Sequence, residues 1–327
     1  MVYNFDKKIM QRICLLIFSL MFIFTSCENK REFTLLQTLE GHTFVVNTAF
    51  FSSNADRALS ASSDFSIKLW NVESGHCIET FKGHSGEVWS ANFSPDETKI
   101  VSASQDATVK IWNANSGTCL KTLTGHNAVV KYAVFSPDGT KIVSGAKDGK
   151  IKIWNANTGS CISTLEVPYN YQVNHISYSQ NGEKMIFSAE DGRVYLWDVI
   201  ADSCVLSWYA HSLGVKTAFY NSDENKIISA GGDGKVKIWD AERGMCLKTF
   251  TGEKYAIYSL NEDFIAVIVD DEIWIYDVET EEKIQTLSGH GNFINSVMYS
   301  SDGKSIISAS DDYTIKIWGE LNADDIL

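Results

Sequence analysis

Serine, histidine and aspartate recur together in this chain at constant spacing. Each of five histidines precedes a serine by 18 residues, an aspartate by 22 and a tryptophan by 28. The five sets are His42, Ser60, Asp64 and Trp70; His84, Ser102, Asp106 and Trp112; His126, Ser144, Asp148 and Trp154; His211, Ser229, Asp233 and Trp239; His290, Ser308, Asp312 and Trp318. A hydroxyl, an imidazole and a carboxylate in one site can act as the nucleophile, the base and the orienting group of a hydrolase.

The repetition argues against that chemistry. A hydrolase needs one exposed serine beside an oxyanion hole, whereas here five equivalent sets each include a tryptophan. A buried tryptophan N–H needs an acceptor, and serine, histidine and aspartate can satisfy one another in series. The chain also lacks a Gly-x-Ser-x-Gly motif. We therefore predict that the sets are structural and that the protein has no catalytic residue.

Short strands would position these sets. Tryptophans 70, 112, 154, 197, 239, 274 and 318 are 42, 42, 43, 42, 35 and 44 residues apart. Before them, apolar and polar residues alternate, as in Ile67–Trp70 and Val109–Trp112, which indicates strands with one face toward a core. Turn residues such as Ser94-Pro95-Asp96 separate these stretches. Four strands per unit, seven times, predict an all-β radial array.

On these offsets, the chain resembles the WD40-repeat family over residues 32–319. The resemblance implies an all-β, seven-bladed β-propeller of four-stranded antiparallel blades, with each set forming a hydrogen-bonded tetrad inside its blade. Only nine residues follow Trp318, whereas Phe33–Leu39 precede the first Gly-His without a blade of their own. We therefore predict that the N-terminal strand completes the last blade and closes the ring, which removes an exposed edge.

Two units depart from the pattern. In the fourth, Pro168 takes the histidine position and Phe187 the serine position. In the sixth, Glu253 takes the histidine position, and no aspartate lies six residues before Trp274. Drift within a packed blade and a remodelled functional face both fit this pattern. We favour drift, because packing tolerates such losses when pattern and volume persist.

Five cysteines lie seven residues after a tryptophan, namely Cys77, Cys119, Cys161, Cys204 and Cys246. This spacing predicts one cysteine on the outermost strand of each of five blades. A disulfide needs Cα atoms within about 7 Å, so equivalent strands of separate blades should not be bridged. No Cys-x-x-Cys motif suggests zinc. We interpret these cysteines as small packing residues.

The N-terminus predicts an export signal. Three basic residues precede an apolar run at residues 13–24, which is shorter than the roughly 20 residues of a membrane-spanning helix and fits a secretory signal. Phe24-Thr25-Ser26-Cys27 resembles a bacterial lipobox, which implies lipidation of Cys27; ordinary cleavage near Ser26 and an uncleaved anchor are the alternatives. The predicted organisation is a signal peptide (1–26), a tether (27–31), the propeller (32–319) and a tail (320–327). The predicted location is the bacterial cell envelope, with a membrane anchor.

Composition narrows the classes of partner. The chain has 327 residues, 44% of them hydrophobic and 21% charged, which suits a globular protein rather than a disordered one. Its net charge of −13 disfavours nucleic acid. No metal-ligand set is apparent, and we predict no metal, no cofactor and a monomer.

The resemblance also implies a partner-binding face. In the family, partners usually contact positions three and five residues after the histidine and the residue before the aspartate. Here these positions predict a face with Glu87 and Phe293; with Asn47, Trp89, Lys131, Asn174, Lys216, Tyr258 and Asn295; and with Gln105, Lys147 and Glu190. Trp89 and Tyr258 are aromatic anchors of the kind found at interface hot spots, and the lysines suit an acidic partner.

Together these features predict a non-catalytic protein–protein interaction scaffold, exported and tethered to a membrane, with a protein or peptide partner. One alternative is a cell-envelope enzyme or small-ligand binder that uses the central channel. Another is a structural spacer in which no single face matters.

Overall fold

The computed structural model describes residues 32–320, which form 28 strands in seven separate four-stranded antiparallel sheets. The innermost strands of the blades are Val46–Phe51 (β2), Val88–Phe93 (β6), Val130–Phe135 (β10), Val173–Tyr178 (β14), Val215–Tyr220 (β18), Glu253–Tyr258 (β22) and Ile294–Tyr299 (β26). The second strands are Arg57–Ser62 (β3), Lys99–Ser104 (β7), Lys141–Ala146 (β11), Lys184–Ala189 (β15), Lys226–Gly231 (β19), Phe264–Val269 (β23) and Ser305–Ser310 (β27). These sheets confirm the seven-bladed propeller.

The outer half of each blade contains two further strands. The third strands are Ser66–Asn71 (β4), Val109–Asn113 (β8), Lys150–Asn155 (β12), Arg193–Asp198 (β16), Lys235–Asp240 (β20), Glu272–Asp277 (β24) and Ile315–Glu320 (β28). The outermost strands are Cys77–Lys82 (β5), Cys119–Leu123 (β9), Cys161–Glu166 (β13), Ser203–Tyr209 (β17), Cys246–Thr251 (β21), Lys283–Ser288 (β25) and Phe33–Leu39 (β1). A three-residue 3-10 turn, Pro168–Asn170, precedes β14.

The core lies between neighbouring blades. In one cluster, Leu59 and Phe81 of the first blade pack with Val88 and Trp112 of the second, each at most 1% exposed. Second strands such as β7 are buried at five consecutive residues, because neighbouring blades cover both faces of the sheet. The outermost strands are largely exposed, since nothing lies beyond them on one side.

The ring closes between the two ends of the propeller. Strand β1 pairs with β28 in the order β1-β28-β27-β26, which confirms the predicted closure. Phe33 N donates to Gln285 Oε1 of the sixth blade at 3.1 Å, and Gln285 Nε2 donates to Phe33 O at 2.7 Å. Residues 33–319 thus form one compact unit.

The sixth blade corrects the predicted register. Tyr276, not Trp274, pairs with Ile265 and Lys283 at the position that Trp70 holds in the first blade. The seven-residue interval from Tyr276 to Lys283 equals that from a tryptophan to its cysteine elsewhere. The sixth blade is shorter than the others mainly in the loop before its innermost strand, because Gly252 alone joins β21 to β22.

The cysteines also differ from the prediction. All five lie on outermost strands as unpaired thiols, and all five are exposed. Their interpretation as packing residues is therefore wrong. Phe81 of β5 is buried at 1% exposure, whereas Cys77 lies on the other side of a β-bulge opposite Leu69 and Trp70, which interrupts the strand alternation, and it is exposed.

Several predictions fall outside the described residues. They are the signal peptide at residues 1–26, the tether 27–31 with Cys27, and residues 321–327 of the tail. Between residues 32 and 320, none of the helical structure reaches the length needed to cross a bilayer.

Candidate functional site

Hydrogen-bonded tetrads hold the loops at one end of five blades. In the second blade, Trp112 Nε1 donates to Ser102 Oγ at 2.8 Å, and Ser102 Oγ lies 2.7 Å from His84 Nε2. His84 Nδ1 lies 2.8 Å from Asp106 Oδ2. With the proton on Nδ1, each donor has one acceptor along the series from tryptophan to aspartate. The other four sets make the same contacts at 2.7–3.0 Å.

The protonation states of the tetrad side chains suit a structural role. Burial lowers the pKa of His42 below its ordinary value although Asp64 opposes this. Burial acts to raise the pKa of Asp64, but hydrogen bonds from His42 and Ser66 outweigh it and hold that pKa well below its usual range. A neutral imidazole and an ionised carboxylate therefore share the site. Since Ser60 Oγ is already bonded to both His42 and Trp70, it is not an exposed nucleophile.

The tetrads lie beneath the loops and turns at one end of the ring, which we call the upper face. It consists of the loops before the innermost strands and the turns between second and third strands; the remaining turns form the lower face. Main-chain hydrogen bonds join the loop before each innermost strand to the turn between the second and third strands. In each tetrad blade, the N–H of the residue before the aspartate donates to the carbonyl oxygen of the residue three after the histidine. Examples are Gln105 N to Glu87 O at 2.8 Å and Lys147 N to Val129 O at 2.8 Å.

A cavity of about 230 Å³ lies where the innermost strands converge at the upper face. It collects the residue five after the histidine from the five blades with a tetrad, together with Asn174 at the same strand register of the fourth blade; these residues are Asn47, Trp89, Lys131, Asn174, Lys216 and Asn295. Its other lining residues are Thr48, Tyr132, Gln172, His175, Thr217, Lys254 and Tyr255.

Three asparagines in the cavity tie neighbouring blades together. Asn47 Nδ2 donates to Val88 O at 2.8 Å, and Asn174 Nδ2 donates to Val215 O at 2.7 Å. Asn295 repeats the contact across the closure of the ring. The amide nitrogens of these asparagines are therefore occupied inside the protein.

Lys131 and Trp89 form a close pair in this cavity. Lys131 Nζ lies 2.9 Å from the centroid of the Trp89 ring. Burial, assisted by the positive charge of Lys147 and opposed by Glu87, lowers the pKa of Lys131 to about 7. Trp89 Nε1 is buried and has no hydrogen-bond partner within residues 32–320.

Lys216, in contrast, is paired. Its Nζ lies 3.3 Å from both carboxylate oxygens of Glu190, and Asn174 Nδ2 donates to the same carboxylate at 2.9 Å. Burial acts to raise the pKa of Glu190, but these contacts outweigh it and hold the pKa below its ordinary value. Because both groups are more than one-third exposed, this pair contributes little stability.

An aromatic cluster surrounds His175 beside the cavity. The His175 ring lies 4.3 Å from Tyr132 and 4.4 Å from Phe219 between centroids. Neither imidazole nitrogen has a hydrogen-bond partner of normal geometry in the described residues. Burial lowers the pKa of His175 to about 3, with a smaller opposing effect from the Ala218 main chain. The imidazole is therefore neutral near pH 7.

Tyr258 is the main correction among the predicted site residues. It is 7% exposed, packs in the core with Ile265 and does not line the cavity. Lys254 stands at the register that Tyr258 was expected to hold, and its Nζ lies 5.0 Å from the Phe293 ring centroid. The sequence contained a signal for Lys254: aligning the sixth blade on Tyr276 and Lys283 reveals the shortened loop.

The other predicted residues lie around the opening. Gln105, Lys147, Glu190 and Phe293 are exposed there, and Glu87 is half-buried. Sequence reasoning missed further exposed aromatic residues on the upper face. They are Phe44, Phe65, Tyr169, Tyr171 and Tyr313, and the rings of Phe44 and Tyr313 stack at 5.6 Å. In the described part of the chain, Tyr209 on β17 is the remaining exposed aromatic side chain.

The irregular fourth blade replaces its tetrad with an aromatic arrangement. Phe187 stands at the serine register, opposite Tyr195, and their rings stack at 4.7 Å. Tyr195 donates its hydroxyl hydrogen to Asp191 Oδ2 at 2.6 Å. The aspartate thus keeps a hydrogen-bond partner without a histidine. No group of acidic, histidine or cysteine side chains within residues 32–320 could hold a metal ion.

Comparison with known proteins identifies the repeats. The family model described as WD domain, G-beta repeat matches residues 33–71, 75–113, 117–155, 159–198, 202–240 and 281–319. The interval between the last two matches contains β22, β23 and β24, where the tetrad is lost.

Curated relatives share short segments with this chain. Lissencephaly-1 homolog 1 of Paramecium tetraurelia is 41% identical over 54 residues, which cover 16% of this chain and 13% of that protein. The U3 small nucleolar RNA-associated protein 21 homolog of Schizosaccharomyces pombe is 40% identical over 65 residues, covering 20% of this chain and 7% of that protein. The chain thus spans a small part of either relative's length, and the likeness extends over one or two repeats.

Proposed function

Because the chain belongs to the WD40-repeat family, described as WD domain, G-beta repeat, we propose that it is a non-catalytic scaffold that binds a protein or peptide on its upper face. The supporting observation is the distribution of exposed aromatic side chains. Six of the seven exposed phenylalanine and tyrosine side chains of the described residues belong to upper-face segments. Aromatic residues are enriched at protein interfaces, and tyrosine is among the residue types enriched at their energetic hot spots.

The rival functions receive less support. A cavity of about 230 Å³ is smaller than the roughly 300–1,000 Å³ of small-molecule sites, which disfavours a cofactor-sized ligand. The tetrad serines are engaged within their blades, which removes them as nucleophiles. A spacer would not need one face rich in exposed aromatic residues. The acidic chain suits neither DNA nor RNA, and we expect a monomer.

A comparative capture experiment tests this function. The full chain serves as bait beside a Phe44→Ala, Tyr169→Ala, Tyr313→Ala variant. The control variant, Ile200→Ala with Leu260→Ala, removes exposed apolar side chains from lower-face turns. We expect a protein that is retained by the wild type and the control but lost by the upper-face variant at equal melting temperature. Identical capture by all three baits would contradict an upper-face site.

We further propose that the protein is exported and tethered through a lipid on Cys27. The support is the basic and apolar N-terminus followed by small residues before this cysteine. Lipid would hold an acidic body at a membrane that repels it electrostatically. Labelled fatty acid should appear on the wild type and not on Cys27→Ala. Equal labelling of the two proteins, or none on the wild type, would reject the lipid anchor.

A further inference from the structure

Two lysine side chains without a carboxylate partner line the central cavity, beside Trp89. Neither Lys131 nor Lys254 has a carboxylate within 4.0 Å among residues 32–320. Trp89 Nε1 can only donate, and it is buried without an acceptor. Leaving a buried donor without a partner is energetically unfavourable. The cavity therefore favours a ligand that supplies acceptor atoms.

The acceptors already present are largely committed elsewhere. Both carboxylate oxygens of Glu190 face Lys216, and one also accepts from Asn174. Asn295 Oδ1 is 3.5 Å from Lys254 Nζ, which is at the outer limit of a hydrogen bond. Glu87 is the other carboxylate that acts on Lys131, and it forms no ion pair with it among the described residues. The positive charge of the cavity is thus incompletely neutralised.

Size and lining narrow the ligand further. A volume of about 230 Å³ suits one side chain or a small acid better than a cofactor. The aromatic rings of Trp89, Tyr132 and Tyr255 provide apolar contacts for methylene groups. The ammonium group of Lys254, and that of Lys131 in its protonated form, would contact a charged end. An aliphatic chain that ends in a carboxylate matches both features.

We propose that the central cavity is a carboxylate-binding site in which Lys131 and Lys254 hold the anionic end of an acidic side chain from the bound partner. This inference rests on the proposed polypeptide binding by the upper face and names the group that the partner inserts. The same carboxylate chemistry could come from a free small acid, so the test includes both sources.

The test follows the indole N–H signal of Trp89 by NMR in the full-length 15N-labelled chain. The signal is assigned by its loss in Trp89→Phe. Three probes are titrated: the acetylated and amidated peptide Gly-Gly-Glu-Gly-Gly, its glutamine analogue, and glutarate. We expect a saturable shift with the glutamate peptide and none with the glutamine peptide.

Lysine variants then locate the carboxylate. Lys131→Met and Lys254→Met should each weaken glutamate-peptide binding by about tenfold, the effect of one charge-assisted hydrogen bond. The control Lys304→Met removes an exposed lysine from a lower-face turn and should leave the affinity unchanged. Equal losses in all three variants would overturn the assignment, because a nonspecific charge effect would explain them.

The outcomes separate this inference from the proposed function. No saturable shift with the glutamate peptide or glutarate would overturn the carboxylate site, while loss of capture by the upper-face aromatic variant would still support the scaffold. Binding of glutarate at least as tightly as the peptide would support the site and reject a side chain as its source. A saturable shift together with unchanged capture by the aromatic variant would support the cavity and reject the scaffold.

Discussion

Lys316 Nζ lies 3.0 Å from Thr38 Oγ1, although 278 residues separate the two. The same contact occurs inside regular blades, where Lys68 Nζ donates to Thr80 Oγ1 at 3.0 Å and Lys110 Nζ donates to Thr122 Oγ1 at 2.8 Å. Thr38 therefore occupies the place of an outer-strand threonine. Strand β1 is the seventh outermost strand in its side-chain contacts as well as in its pairing.

Closure of the ring predicts unequal effects of two leucines in β1. Leu39 is fully buried, and Leu39→Ala should lower the free energy of unfolding by about 2–5 kcal/mol because it leaves a cavity. Leu35 is 44% exposed, and Leu35→Ala should change the free energy of unfolding by less than about 1 kcal/mol. Urea unfolding measures both changes. Deleting residues 32–39 should yield an aggregating or unfolded product, whereas a soluble and stable truncation would contradict closure.

The tetrads predict a structural effect of Asp106→Ala. Asp106 accepts hydrogen bonds from His84 Nδ1, Ser85 N and Thr108 Oγ1. Because these donors would lose their acceptor, the substitution should destabilise the protein by about 1–3 kcal/mol. The control is Asp223→Ala at an exposed turn position, which should change stability little. Equal melting temperatures for the two variants would refute the structural role of the tetrad.

The buried histidines predict acid sensitivity. Burial lowers the pKa values of His42, His126 and His211 in the folded state. Below about pH 6.5 the unfolded chain therefore binds protons that the folded chain does not, so stability is lost as pH falls toward the folded pKa values. The tetrad aspartates add a further loss below about pH 4. Lys131, whose pKa burial lowers to about 7, adds a loss of stability as the pH falls from 8 to 7. The melting temperature should therefore decline from pH 8 and continue to decline below pH 6.5; a melting temperature that rises as the pH falls below 6.5 would contradict the assignment to the histidines.

The shortened loop of the sixth blade predicts that Gly252 cannot be enlarged. A Cβ atom at this position would lie 1.8 Å from Val267 Cγ1 and 3.2 Å from Val236 Cγ2. Gly252→Ala should therefore destabilise the protein by about 1–3 kcal/mol through overpacking. At Gly291 the nearest atom to an added Cβ is 3.9 Å away, so Gly291→Ala is the matched control. Equal melting temperatures for the two variants would contradict the predicted overpacking at Gly252.

The outer-strand cysteines predict a pattern of native-state labelling. In a Cys14→Ser, Cys27→Ser background, five thiols should react with a maleimide reagent without denaturant, because all five are exposed. Cys204 should react most slowly, since burial raises the pKa of its thiol and the thiolate is the nucleophile. Cys204→Ser should remove the slow phase alone. Modification that required denaturant would contradict the exposure of these strands.

The regular blades could be predicted from the sequence because the residues that define each blade lie close together along the chain. Within one blade, His84, Ser102, Asp106 and Trp112 are spaced by a fixed strand and turn geometry, so their offsets survive as sequence periodicity. The fourth blade also kept this register, and Phe187 lies where the spacing placed the missing serine. In the sixth blade the spacing itself changed. Counting from Glu253 and Trp274 therefore selected Tyr258, whereas strand pairing selects Lys254 and Tyr276.

By itself the sequence determined the number of blades, the tetrads and the closing strand, because each follows from repeats of about 42 residues and their alternating hydrophobicity. Only the tertiary structure decided which side chains meet in the central cavity. Lys131 and Lys254 lie 123 positions apart in the sequence, on innermost strands of the third and sixth blades, and no local pattern relates them. They line one cavity because the ring closes and brings the innermost strands together. The exposure of the cysteines and the stacking of Phe44 on Tyr313 likewise depend on neighbouring strands and loops that are distant along the chain.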